Sequence, residues 1–158
     1  MTIEDRLRRL EDIEEIRRLR NMYHYFINER QPERFREIYT DDAVLKFDKH
    51  MTIEGIDPIV TALGNVPERT LIKQFIHSHQ VDVDGDEASA FAYLDARYGQ
   101  DGQSLIVAAR YDEKYRRTPQ GWRISWTYIE VIFSVPVQVG WADPSEDYFS
   151  KIDMPNKD

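Results

Sequence analysis

The sequence predicts an α+β domain in which three N-terminal helices lie on one face of a curved, mostly antiparallel sheet and leave a cone-shaped pocket between the two layers. Three observations predict it. Apolar residues recur at three and four through Leu63, then at two from Leu71 onward. The alternating runs are long and are separated by short stretches of turn chemistry. The chain has 158 residues, enough for one sizeable core and too few for two.

Taken in order, Ile3, Leu7, Leu10, Ile13, Ile16, Leu19, Tyr23, Phe26 and Ile27 fall on one stripe between charged residues, which predicts a single long amphipathic helix. Pro32 opens a short second helix, since a first turn does not use its missing N–H, and Phe35, Ile38 and Tyr39 give it an apolar side. Thr40-Asp41-Asp42 closes that helix, and Val44 to Phe47 reads as a strand. Asp57 is the expected cap of a third helix, with Pro58 behind it and Gly64 at its end. Strands are expected over 72–83, 88–98, 104–116 and 122–135, joined at Asp84-Gly85-Asp86, Gly99 to Gly102, and Thr118 to Gly121. From Pro136 the chain reads as irregular yet aromatic at Trp141, a segment expected to rest on a neighbouring subunit. One domain over 1–145 and a tail over 146–158 follow.

Composition excludes several function classes. A net charge of −8 opposes binding to phosphate backbones or anionic lipid, so neither nucleic acid nor membrane is an expected partner. Without cysteine there is no disulfide, thiolate nucleophile or cysteine metal site. No membrane-length apolar run or leader-like segment is read, and a cytoplasmic location is the expectation. The expected partner is a small uncharged molecule or a further copy of the same chain.

The chemistry-bearing motif is Phe75-Ile76-His77-Ser78-His79-Gln80-Val81-Asp82-Val83. Strict alternation puts Phe75, His77, His79, Val81 and Val83 on one strand face, so two imidazoles look onto an apolar wall. Histidine titrates near neutrality, and such a residue can serve as a general base towards a small molecule. The plainer alternative is a pair of structural histidines. His77-x-His79 also has the spacing of a metal pair, but no glutamate follows where a third ligand would be needed, and no metal site is expected.

The pattern Ile16, Tyr23, Asn28, Phe35, Tyr39-Thr40-Asp41-Asp42-Ala43-Val44, then Ile53-Glu54-Gly55, Val83-Asp84-Gly85-Asp86-Glu87-Ala88, and Tyr115-Arg116-Arg117 with Gly121-Trp122-Arg123-Ile124 resembles the SnoaL-like branch of the nuclear transport factor 2-like superfamily. Bile acid 7α-dehydratase, scytalone dehydratase and hexachlorocyclohexane dehydrochlorinase are members it is similar to. The resemblance implies a cofactor-independent lyase or isomerase that removes a proton from a cyclic apolar substrate with a histidine base. Carried over, it places the base at His77 with His79 as alternative, a polar partner at Tyr23, and the imidazole-orienting residue at Asn28. An aspartate is usual there. Asparagine can fix a tautomer but cannot stabilise an imidazolium by charge. Charged positions of relatives also fall on neutral Ala96 and on Thr127 or Val131.

If inward parity follows the resemblance, Phe47, Phe75, His79, Leu94, Tyr111, Thr127, Ile129 and Val131 line the pocket and bind substrate. Phe91, Tyr93, Trp126 and Tyr128 then form an aromatic outer face suited to a subunit interface, with a trimer expected over a dimer. A bulge in the last strand would instead bring Trp126, Tyr128 and Glu130 inward, Glu130 becoming a rival base. Loss of charge at positions 28, 96 and 127 suits the alternative function, a non-catalytic binding or assembly module.

Overall fold

The computed structural model describes residues 1–67 and 70–142, except for the side chain of Gln100. Helix α1 (Ile3–Asn28) is started by a reciprocal cap: Asp5 N–H donates to the Thr2 hydroxyl at 3.1 Å, and Thr2 N–H donates to the Asp5 carboxylate at 2.8 Å. In its first turns Ile3, Leu7 and Leu10 are exposed, and Arg9 reaches the sheet, donating to the Val83 carbonyl and the Asp82 carboxylate. Burial begins at Asp12 and runs through Ile16, Leu19, Arg20, Tyr23, His24 and Phe26.

A short 3-10 helix (Pro32–Glu37) follows, then β1 (Tyr39–Phe47), β2 (Met51–Glu54), α2 (Ile56–Gly64), β3 (Leu71–Asp84), β4 (Glu87–Gln100), β5 (Gln103–Thr118) and β6 (Gly121–Pro136). Two local expectations are corrected and one strand is added. Thr40 to Asp42 belong to β1 and do not close a helix, because β1 reaches back to pair in parallel with β6. β2 was not foreseen from the sequence; it is four residues long and pairs only with β1. The N-cap of α2 is Gly55 at φ 88°, and Asp57 lies in the first turn, where its charge favours the helix dipole.

The six strands form one sheet in the order β2-β1-β6-β5-β4-β3, with only the β1–β6 pair parallel. Asp101 and Gly102 both take positive φ, as a two-residue type I′ hairpin demands. Helix α1 crosses the concave face. Its middle is pinned by Trp122, fully buried, whose Nε1 donates to Asp12 at 2.9 Å and whose backbone N–H donates to Glu15 at 2.9 Å. Arg117 completes the clamp on Asp12 at 2.8 Å.

Deeper still, Arg20 on α1 and Glu113 on β5 form an ion pair with neither side chain open to water. Arg20 Nε donates to Glu113 Oε2 at 3.0 Å, and the Tyr115 hydroxyl donates to the same oxygen at 2.7 Å. Thr127 donates to Oε1 at 3.3 Å, and Tyr39 lies 3.5 Å from the Thr127 hydroxyl. The guanidinium stacks between the rings of Tyr23 and Tyr111, 4.4 Å from each centroid. Removing one member strands the other as an uncompensated buried charge. Arg20→Met is therefore expected to lower stability by about 3–5 kcal/mol in urea denaturation.

Candidate functional site

Between α1, α2 and the sheet lies a partly enclosed cavity of about 120 Å³. Helix α1 gives it Tyr23 and Ile27, β1 and β2 give Phe47 and Met51, and α2 gives Ala62 and Leu63. The sheet supplies Ile72, Gln74, Leu94, Tyr98, Val107, Ala109, Tyr111, Ile129 and Val131. Asn65 to Pro67 and Thr70 form the rim, where the Arg30 guanidinium donates to the carbonyls of Val66, Pro67 and Thr70. Apolar side chains dominate, with a few polar groups at fixed positions. No lining residue described is His, Asp, Glu, Lys or Arg.

His77 is not on this wall. Ser78 takes φ 54°, and Ser78 and His79 together oppose the single residue between Tyr93 and Phe91, a β-bulge. Ile72, Gln74 and Ile76 face inward before the bulge, and His79, Val81 and Val83 after it. Phe75 and His77 accordingly stand on the outer face; Phe75 is 51% exposed and His77 is exposed. His79 does point inward but is absent from the cavity wall: it sits over the buried ion pair, its Nε2 3.9 Å from Glu113. Burial first, then the Arg20 and Arg17 charges, push its imidazole down to about 4.

Asn28 orients no imidazole. Its amide nitrogen donates to the Gln74 carbonyl at 2.9 Å and its amide oxygen accepts the Gln74 backbone N–H at 2.7 Å. It thus pairs with β3, an edge strand, as another backbone would, and satisfies both outward backbone groups of Gln74. Thr127 is fully buried in the Glu113 network and not at the cavity. Tyr23, Phe47, Leu94, Tyr111, Ile129 and Val131 are all on the wall. Although β6 carries bulges at Ser125 and Ile132, Thr127, Ile129 and Val131 keep inward parity and Glu130 remains exposed.

The polar end was not foreseen. His24 Nδ1 lies 3.1 Å from Gln74 Oε1, and Gln74 Nε2 donates to the Tyr98 hydroxyl at 2.9 Å. Burial and then the Arg20 charge hold His24 well below the usual imidazole range, against the opposing Gln74 bond. Burial likewise raises the phenols of Tyr23, Tyr98 and Tyr111, so all three are neutral donors near pH 7. A signal for Gln74 was present in the sequence: Ile72 and Ile76 set an even apolar parity that conflicts with Val81 and Val83, and such a conflict marks a bulge between them.

Residues 8–127 match the SnoaL-like domain. The chain belongs to that family. An uncharacterized protein of Mycobacterium tuberculosis is 29% identical over 118 residues, covering 70% of this chain and 78% of the relative. Among solved structures, the hexachlorocyclohexane dehydrochlorinase LinA-type3 of Novosphingobium barchaimii superposes with a TM-score of 0.72 at 20% identity, over 86% of this chain and 94% of the other. An NTF2-like protein with a cystatin-like fold from Novosphingobium aromaticivorans gives 0.70 at 23% identity, over 90% and 92%. At these identities the structural likeness establishes the fold, the nuclear transport factor 2-like α+β architecture.

For this SnoaL-like domain, no helix among the described residues is long and apolar enough to cross a membrane, and no described cluster of three or more His, Cys, Asp or Glu could hold a metal. Trp141, 58% exposed, stacks on Phe133 of its own chain at 5.8 Å; residues from 143 on, with the expected tail and its boundary at 145, lie outside the described residues.

An unfolded histidine titrates near 6.5 and folded His79 near 4, so between those values the unfolded chain binds more protons and stability falls as pH is lowered through the window. Urea midpoints at about pH 7 and about pH 5 measure this slope, and His79→Gln should flatten it while His24 keeps a residual slope of the same sign. Asn28→Ala leaves two Gln74 backbone groups unpaired and should cost about 1–3 kcal/mol, with amide exchange at Gln74 accelerated.

Proposed function

We propose that this SnoaL-like chain binds an uncharged, mainly apolar cyclic small molecule without using a histidine base. One observation carries the reading: the cavity wall holds no titratable group other than three phenols raised by burial. Removing a proton from a carbon acid near neutral pH requires a base poised in that range and within reach of the ligand. His77 is on the other face, His79 is over the Glu113 ion pair, and His24 stands behind the wall, packed on the rings of Tyr23 and Tyr111 and hydrogen-bonded to the Gln74 amide, which does not accept a proton. The size is also suitable. A dry apolar cavity of about 150 Å³ accommodates a benzene ring, and 120 Å³ here, open at one side, suits one ring with a substituent towards the rim.

A cofactor-independent lyase or isomerase is the second reading, favoured by those phenols. Tyr98 and Tyr111 can donate to a leaving group or a developing oxyanion, with Tyr23 donating to Tyr111 behind them, so a substrate that ionises without a protein base could be assisted there. Self-association is part of the proposal as well. Phe91, Tyr93, Trp126 and Tyr128 share the outer sheet face with Phe75 and His77, and Trp126 stacks on Tyr128 at 6.1 Å. A half-covered aromatic surface of this kind supports a homo-oligomer.

The test fills the cavity. Ala109, 1% exposed, is on its wall, and Ala109→Phe occupies the space with a ring of the chain's own. Titrated with small cyclic hydrocarbons and ketones and followed by amide chemical shifts, the wild type should show saturable shifts at Leu94, Val107 and Ile129. The variant should show none while keeping its fold. Saturable binding that survives Ala109→Phe would refute the cavity as the site, and turnover abolished by His77→Ala would refute the base-free reading.

A further inference from the structure

The hydrogen-bond chain His24, Gln74, Tyr98 has a direction, and the direction identifies what the ligand must offer. His24 is neutral, held so by burial and by the Arg20 charge, and one of its two nitrogens therefore carries a hydrogen. Its Nε2 is buried without a partner among the described residues. A hydrogen there would be an orphaned buried donor, which folded proteins rarely tolerate, whereas on Nδ1 it meets Gln74 Oε1 at 3.1 Å. With the Gln74 oxygen accepting, its Nε2 must be the group that faces Tyr98 and donates to the phenol oxygen at 2.9 Å. The Tyr98 oxygen then acts as acceptor towards Gln74, and its own hydrogen is left for the cavity, which Tyr98 lines.

Resting on the cavity being the ligand site, we infer that the Tyr98 end recognises a neutral carbonyl oxygen, so that the ligand class is cyclic ketones and comparable ring carbonyls rather than hydrocarbons, alcohols or acids. An acid would enter as an anion with no cation on the wall, since Arg20 lies behind the Tyr23 and Tyr111 rings and is neutralised by Glu113, and Arg30 at the rim has its guanidinium engaged with the carbonyls of Val66, Pro67 and Thr70. An alcohol can accept from Tyr98, but its own hydrogen would face a mainly apolar wall. A carbonyl has only lone pairs to satisfy, and one phenol hydrogen satisfies it.

Cyclohexanone and methylenecyclohexane have nearly the same shape and differ in C=O against C=CH2, so the pair isolates this one bond. In amide chemical-shift titrations Tyr98→Phe should weaken cyclohexanone by roughly three- to tenfold and leave methylenecyclohexane unchanged. Gln74→Glu supplies an acceptor in place of the amide donor, which turns the Tyr98 hydrogen away from the cavity; it should weaken cyclohexanone to the same degree. Nitrogen-15 shifts of His24 should report a protonated Nδ1 and a bare Nε2. If both rings bind and neither substitution discriminates between them, the carbonyl assignment is overturned while the cavity stands as a binding site. A bare Nδ1 overturns the direction of the chain. Failure of both rings to bind the wild type overturns the binding reading itself, and with it this inference.

Discussion

Arg20 brings a full positive charge into the middle of the domain, and the fold is arranged so that this charge is met. Glu113 lies opposite it across the gap between helix and sheet, and Tyr115 and Thr127 hold the carboxylate oxygens. A buried pair of this kind gives little net stability over an apolar pair of equal volume, but it tolerates almost no displacement, since either charge alone would be severely destabilising. The helix is thereby fixed in one rotation and one height above β5. The faces of α1 that meet the sheet, and so the positions of Tyr23, His24 and Asn28, follow from that constraint.

The same arrangement divides the interior of the cone. Around the ion pair the space is filled by tyrosines, by His79 and by the Trp122 and Asp12 clamp. Towards the end of α1 the lining becomes aliphatic and the filling incomplete, which is where the cavity lies. Charge sits where no ligand can reach it, and the reachable wall is neutral. That separation governs the chemistry available. It supports the proposed recognition by shape and by a small number of directed hydrogen bonds.

A single inserted residue in β3 decides which side chains take part. Because side chains alternate strictly, the left-handed backbone at Ser78 exchanges inside for outside between His77 and Gln74. The residue bonded to Asn28 and facing the cavity is for that reason a glutamine. An uncharged amide there is compatible with a buried neutral histidine behind it and a phenol beside it, whereas a carboxylate would carry an unpaired charge into an apolar pocket.

Much of the architecture was legible in the chain alone. The change of period at Leu71, the turn residues at Gly85 and Asp101-Gly102, and Pro32 determined a helical layer followed by an antiparallel meander, because period and turn chemistry are local properties. Parity also located Leu94, Tyr111, Ile129 and Val131 on the inner face, since β4, β5 and the relevant part of β6 are regular there. Tertiary structure alone decided the rest. Strand β2 and the parallel return of β1 depend on pairing with distant residues. The bulge at Ser78 depends on fitting β3 against β4. Arg20 and Glu113, far apart in sequence, reveal themselves as partners only when α1 is laid across β5, and with them the roles of His24, Gln74 and Tyr98: whether a polar side chain faces water, a ligand or a buried charge is set by its neighbours in space, which sequence order does not specify.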